Sequence, residues 1–208
     1  MTVRIASIIP VGSLEAAKSR LGGALDAEER QDLAERFLSR TVAAALAVSE
    51  LTDVLVVSPD RDVLQRAAEL GARTLRQRTS GLNAGLVEAR EDVVAGGAEA
   101  LVILPIDLHF VTTDAVTEVL ARIAGDDGRP RAVLVTDRHG SGTNVLALRP
   151  PRLIDFQFGP GSRQAHRNAA AAANAEYIEV DGPLTFDIDT PADLVLVDSI
   201  ATEGIGAG

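Results

Sequence analysis

Residues 100–107, Ala-Leu-Val-Ile-Leu-Pro-Ile-Asp, form an apolar run that never alternates with polar residues and ends in a carboxylate. A strand with one wet face alternates; an unbroken run of this length fits a strand covered on both faces, the central parallel strand of an α/β sheet. The expectation is therefore an α/β chain with helices flanking a sheet. Asp107 then falls at a strand end, where open α/β sheets bind their ligands.

A second acidic stretch, Phe186-Asp187-Ile188-Asp189-Thr190-Pro191, lies far along the chain. On extended backbone, residues two apart project to one face roughly 7 Å from each other, so Asp187 and Asp189 would aim their oxygens at one point. Thr190 suits a helix N-cap and Pro191 a first helical position, which sets the pair at a strand end before a turn. Taken alone, the pattern is also simply a turn with a cap. Joined by Asp107 it becomes three carboxylates at two strand ends, a set that fits oxygen-ligated Mg²⁺ held beside substrate phosphates.

The 208 residues, 46% of them hydrophobic, are enough for one well-filled core and short for two. One domain over 1–202 is expected, with 203–208 as a frayed tail. Thirty acidic against twenty basic residues give a net charge of −10, which argues against nucleic acid or an anionic membrane as partner and requires any phosphate grip to be local. With no cysteine, disulfides, thiolate zinc sites and cysteine nucleophiles are excluded. Three histidines and no tryptophan leave little for a His-rich metal site or an aromatic stacking platform. Nothing resembles an export signal, and no apolar stretch reaches the ~20 residues of a membrane span. A cytoplasmic location is expected, with homodimer formation left open.

Along the chain, 3–11 reads as a first strand, followed by a loop carrying Gly12, Lys18, Arg20, Gly22 and Gly23. That loop is either a triphosphate grip or ordinary solvated chain, because neither Gly-x-Gly-x-x-Gly nor the P-loop pattern is present. Asp26 with Glu29 forms a capping-box start for a helix to about residue 48. A strand over 53–58, a helix to about 70 and a short strand over 72–75 lead to Gln77-Arg78-Thr79-Ser80-Gly81-Leu82-Asn83-Ala84-Gly85 and a helix to about 95. Small residues there let backbone approach a base or ribose; alternatively Ser80 is only a helix cap. Thr112 or Thr113 opens a helix to about 123, 125–128 is a surface loop, and 131–136 is a strand. Gly140-Ser141-Gly142-Thr143-Asn144 then leads into another strand, with Thr143 and Asn144 facing a polar ligand or satisfying their own turn. Phe156-Gln157-Phe158-Gly159-Pro160-Gly161-Ser162 feeds a helix over 163–174, whose N-terminus is a favourable anion site. His166, one turn in, is read as a surface residue unless it touches the ligand. A strand over 176–180 and a helix from 191 complete the pattern.

The order of these landmarks resembles the 2-phospho-L-lactate or phosphoenolpyruvate guanylyltransferase family (CofC/FbiD) of coenzyme F(420) biosynthesis. The likeness runs from Ile8-Ile9-Pro10-Val11 and Ala17-Lys18-Ser19-Arg20-Leu21 through Gly81-Leu82-Asn83, Leu104-Pro105-Ile106-Asp107-Leu108 and Gly142-Thr143-Asn144. It continues to Phe158-Gly159-Pro160-Gly161-Ser162, His166 and Asp187-Ile188-Asp189-Thr190-Pro191. It implies a single-domain, GT-A-like nucleotidyltransferase fold of three layers with a mixed, mostly parallel sheet. It also implies Mg²⁺, two ions, on Asp107, Asp187 and Asp189. The three-carbon acid falls to Thr143, Gly159 and Ser162 with His166, and the nucleotide to Pro10, Val11, Lys18, Gly81 and Asn83. Catalysis is expected to rest on Lys18, Arg20 and Asp107. Two departures stand out: Gly12-Ser13 where many relatives carry a lysine, and Leu108-His109-Phe110 where Leu-Pro-Leu is commoner.

The implied reaction transfers GMP from GTP to the phosphate of phosphoenolpyruvate or 2-phospho-L-lactate, 3-phosphoglycerate being a third candidate, with release of diphosphate. The rival readings are a molybdenum-cofactor or sugar-phosphate nucleotidyltransferase on the same fold, and a non-catalytic nucleotide-binding module.

Overall fold

The computed structural model describes residues 3–13, 25–125, 128–188, 190–193 and 195. Its centre is a seven-stranded sheet of β1 (Ile5–Pro10), β2 (Leu51–Ser58), β3 (Arg73–Arg76), β4 (Ala100–Ile103), β5 (Arg131–Thr136), β6 (Thr143–Arg149) and β7 (Glu176–Glu179), in the order β3-β2-β1-β4-β6-β5-β7. Only β6 runs against its neighbours, pairing antiparallel with β4 and β5; the other pairings are parallel. The mixed, mostly parallel sheet expected from the sequence is thus the one observed.

The unbroken apolar run of β4 has the predicted consequence. Leu101 and Ile103 pack into one core with Leu86, Ala89 and Ala170, whereas Val102 and Leu104 pack into the other with Leu38, Val42 and Val116. The two faces are covered by different helices. α1 (Ala27–Leu46), α2 (Arg61–Glu69) and α4 (Thr113–Ile123) lie on one side, and α3 (Leu82–Ala95) and α5 (Ser162–Ala172) on the other.

One boundary differs from expectation in a way that matters. The strand does not reach Asp107. Pairing continues through Leu104, whose N–H donates to the Ile8 carbonyl at 3.0 Å, and then meets Pro105, which has no N–H to give. β4 ends, and Asp107 rides on a turn beyond it.

Because six strands are parallel and β6 begins where they end, one edge of the sheet gathers the C-terminus of β1, the chain leaving β4 and the start of β6 at Thr143. The N-terminus of α3 opens at the same edge, as a crossover connection requires, and that of α5 is brought there by the 150–161 segment, which returns along the sheet after β6.

Helix starts follow local chemistry. α1 has the full capping box, Asp26 Oδ1 accepting from Glu29 N at 2.9 Å and Glu29 Oε2 accepting from Asp26 N at 2.8 Å. Asp60 caps α2, and Thr112 caps α4 by accepting from Ala115 N at 3.2 Å. Ser80 does not cap α3: Gly81 holds that position with φ of 92°, a conformation serine rarely adopts, and no side chain caps the helix. Asp26→Ala and Thr112→Ala are therefore expected to lower unfolding free energy by about 1 kcal/mol each. Ser80→Ala should stay within about 0.5 kcal/mol of the parent. Urea midpoints at constant m-value check both.

Candidate functional site

Past β4, the backbone of Asp107 meets the acidic stretch predicted to be its partner. Leu108 and Asp187 form an isolated antiparallel bridge. His109 N donates to Phe186 O at 3.0 Å, and Ile188 N donates to Asp107 O at 3.0 Å. Asp107 and Asp187 are thereby one residue from direct opposition on two joined segments, each half-buried. Lys18, Arg20 and Asp189 lie outside the described residues, as do the middle of the 125–128 loop and the 203–208 tail. Among the described residues no three acidic, histidine or cysteine side chains form a group able to hold a metal.

The bridge is braced from below. Arg40 of α1 donates from Nη2 to the Leu108 carbonyl at 3.0 Å and lies over the Phe37 ring at 4.9 Å. Burial lowers the pKa of this guanidinium from its ordinary value. His109, Phe110 and Phe186 stack edge to face at centroid distances of 4.6 and 5.7 Å, so the departure at His109-Phe110 forms an aromatic cluster on the two bridged segments. On the far side of Asp187, Thr190 N donates to Asp193 Oδ2 at 2.6 Å. Asp193 is itself 2% exposed and ion-paired with Arg138 beyond β5. Neither residue was singled out from sequence. Thr190-Pro191-Ala192-Asp193 does carry the Thr-x-x-Asp capping pattern, which could have found Asp193; nothing local marks Arg138.

Thr143 and the loop before α5 form the other half. Asp137 folds the β5–β6 turn by accepting from Ser141 N at 2.8 Å. Burial pushes its carboxyl up, but the bonds from Gly142 and Ser141 outweigh this and hold it below the usual carboxylate range. A Cβ on Gly142 would lie 2.7 Å from Asp137 Oδ2, so any larger residue must shift the carboxylate that folds the turn. The turn meets α5 where Arg163 N donates to Ser141 O at 3.3 Å.

At α5 the N-cap is Gly161 in the left-handed region with φ of 74°, and no side chain caps the helix. Two first-turn amides of the expected anion site are already used: Ser162 N donates to Gly159 O at 3.1 Å, and Arg163 N to Ser141 O. Ser162 is 1% exposed. A Cβ on Gly81, Gly159 or Gly161 would meet nothing within 4 Å, so backbone at these three points borders open space.

Asn83, expected at the nucleotide, is engaged with this loop. Its Oδ1 accepts from Phe158 N at 2.9 Å and its Nδ2 donates to Phe158 O at 3.0 Å, tying the start of α3 to the approach to α5. Pro10 closes β1 opposite Val57. Val11 turns its side chain into the core and donates from its amide to Val57 O at 2.9 Å, so the nucleotide could meet only its backbone.

His166 departs most from expectation. It is fully buried, 0% exposed, and not a surface residue. Nδ1 lies 3.0 Å from Thr143 Oγ1, and Nε2 lies 3.0 Å from Gln157 N. Burial pushes its pKa down to about 4. Direct contact with a ligand would require displacing these partners.

The lowered pKa has a consequence for stability. As pH falls below about 6.5 the unfolded chain takes up the proton first, so stability is lost down to about pH 4, at up to about 1.4 kcal/mol per unit. His166→Asn is expected to be less stable at pH 7 yet to lose less between pH 6.5 and 4.5 than the parent. Urea melts across that range measure the difference.

Residues 5–201 match the family model described as "Guanylyl transferase CofC like". The phosphoenolpyruvate guanylyltransferase of Rubrobacter xylanophilus is 43% identical over 194 residues, covering 93% of each chain. That of Sphaerobacter thermophilus is 40% identical over 190 residues, 90% of this chain and 89% of its own. Among solved structures, a nucleotidyl transferase from Methanothermobacter aligns at a TM-score of 0.65 and 17% identity, over 97% of this chain and 99% of that one. The last is a likeness of fold.

Proposed function

Because the chain belongs to the CofC-like guanylyl transferase family, we propose that it transfers GMP from GTP to the phosphate of phosphoenolpyruvate, or of 2-phospho-L-lactate, releasing diphosphate. The reading is supported above all by the bridge between Leu108 and Asp187, which joins the two acidic segments at the edge where α3 and α5 present uncapped N-termini. Among α1 to α5, the two without side-chain caps are those carrying the expected nucleotide and acid motifs. Uncapped N-termini offer N–H groups and a positive dipole end to anions. This is the local attraction that a chain of net charge −10 needs in order to hold two polyanions.

In the reaction an oxygen of the acid's phosphate attacks the α-phosphorus of GTP in line, the bond from that phosphorus to the bridging oxygen breaks, and the electron pair leaves with diphosphate. A phosphate monoester has its second pKa at about 6 and arrives largely deprotonated, so no side chain need remove a proton. The chain's task is to bring the reactants together and orient them. Thr143 and the backbone at Gly159 hold the acid, with Ser162, its amide given to Gly159 O and its side chain buried, shaping the loop; Pro10, Val11 and Gly81 border the nucleotide; Lys18 and Arg20 attend the triphosphate. Asn83 acts at one remove, through Phe158.

An all-oxygen donor set, two members of which sit on bridged segments, fits a hard divalent cation such as Mg²⁺. Asp107, Asp187 and Asp189 would hold it, two ions being the expected number. When bound it neutralises charge between attacking and leaving oxygens.

With GTP, diphosphate release is expected on adding phosphoenolpyruvate or 2-phospho-L-lactate, and not when CTP replaces GTP. Asp187→Asn and Asp189→Asn should each lower kcat/KM by about a hundredfold or more, the scale of several kcal/mol for a metal-assisted step. Wild-type rates with unchanged Mg²⁺ dependence in Asp189→Asn would overturn the assignment of the metal.

A further inference from the structure

We propose that His166 is a positioning residue which, without touching substrate, makes the Thr143 hydroxyl an obligate hydrogen-bond donor toward the acid. The proposal rests on the functional reading above and deepens it.

The argument begins with Gln157. A backbone N–H can only donate, and this one lies 3.0 Å from His166 Nε2, so Nε2 must present its lone pair. A ring with one nitrogen used as acceptor is neutral and carries its proton on the other, Nδ1. Full burial of His166 favours the same neutral state.

Nδ1–H therefore donates to Thr143 Oγ1, 3.0 Å away. A threonine hydroxyl can ordinarily donate or accept along this line. Here the direction is fixed, and the hydroxyl's own hydrogen must point elsewhere. No other partner for Thr143 Oγ1 exists among the described residues. Thr143 is half-buried at the first position of β6, on the sheet edge that also carries the open backbone of Gly159 and Gly161.

A donor aimed into that space matches the acid, whose carboxylate and phosphate oxygens can only accept. The opposite orientation would set two lone pairs against each other. His166 thus resolves an ambiguous hydroxyl into one that favours an anion. The arrangement is rigid because Gln157 is followed by Phe158, which Asn83 clamps with two hydrogen bonds and whose ring meets the imidazole edge at 5.2 Å.

Two substitutions separate the two ring nitrogens. In His166→Gln the side-chain oxygen can reach the Nε2 position and keep the Gln157 bond, while the donor to Thr143 is lost. In His166→Asn the amide nitrogen occupies the Nδ1 position and keeps that donor, while Gln157 N–H loses its acceptor. His166→Gln is expected to raise KM for phosphoenolpyruvate about tenfold or more, with KM for GTP within about twofold. His166→Asn should recover most of that loss despite lower thermal stability. Thr143→Val should resemble His166→Gln, and the double variant should be no worse than Thr143→Val alone.

An unchanged KM for the acid in His166→Gln, parallel rises for acid and GTP, or additive effects in the double variant would overturn the proposal. A readout independent of activity is the ¹⁵N imidazole spectrum of the wild-type protein at pH 7. A pyrrole-type shift at Nδ1 is expected; a proton on Nε2 would overturn the assignment even if guanylyl transfer is confirmed. Wild-type protein inactive with every phospho-acid but bearing the Nδ1–H tautomer would instead fault the functional reading.

Discussion

Two main-chain hydrogen bonds, His109 to Phe186 and Ile188 to Asp107, hold together segments that the sheet itself does not pair. A two-bond bridge is weak in isolation, each bond contributing about 1 kcal/mol net. What fixes it is the surroundings. Arg40 secures the Leu108 carbonyl from α1, and Leu108 and Ile188 are both almost fully buried. The rings of His109, Phe110 and Phe186 interlock on their edges. Asp193 catches the Thr190 amide while paired with Arg138. A buried carboxylate of this kind is costly unless paired and hydrogen-bonded, and here it is both. If that bracing were lost, Asp107 and Asp187 would belong to two independent loops.

The acid side is organised by a different economy of polar groups. Helices that serve only the fold have their first amides satisfied by Asp26, Asp60 and Thr112. α3 and α5 instead start at glycines with positive φ and no side-chain cap. The stability forgone at a glycine cap is only a few tenths of a kcal/mol; at α5 the Gly159 and Ser141 carbonyls take the Ser162 and Arg163 amides in place of a side chain. Asn83 shows how the two starts are kept in register, since one amide side chain imitates a strand partner for Phe158.

Legibility from sequence followed the range of the interactions. The capping box of α1 spans four residues, and its position follows from them; the buried character of β4 lies in its composition, and the strand over Arg131–Thr136 is read with its observed ends. The end of β4 was misjudged because apolar content continued past Pro105, where hydrogen bonding could not. Ser80 was a reasonable cap by residue type, but the backbone turns at Gly81. His166 looked exposed on a polar helix with Arg163, Gln164 and Arg167 around it; its burial comes from the 156–158 segment folding over it, a contact no local pattern encodes. Arg138 and Asp193, 55 residues apart, are invisible for the same reason. Family membership favours guanylyl transfer over the sugar-phosphate and molybdenum-cofactor alternatives.

The distribution of ionisable groups follows from the chemistry. A reaction whose nucleophile is already an anion has no use for a base poised near neutrality, and the one histidine at the acid loop is held neutral well below that range. The same burial that would disable His166 as a base leaves it useful as a fixed dipole, because the Gln157 N–H can only donate and so holds the neutral ring in one tautomer. Placing a neutral imidazole behind a hydroxyl also avoids a cation that would compete for the acid's charge with the site where it must react. On the proposed reading, orientation of the acid is thus left to a hydroxyl and an imidazole that carry no net charge.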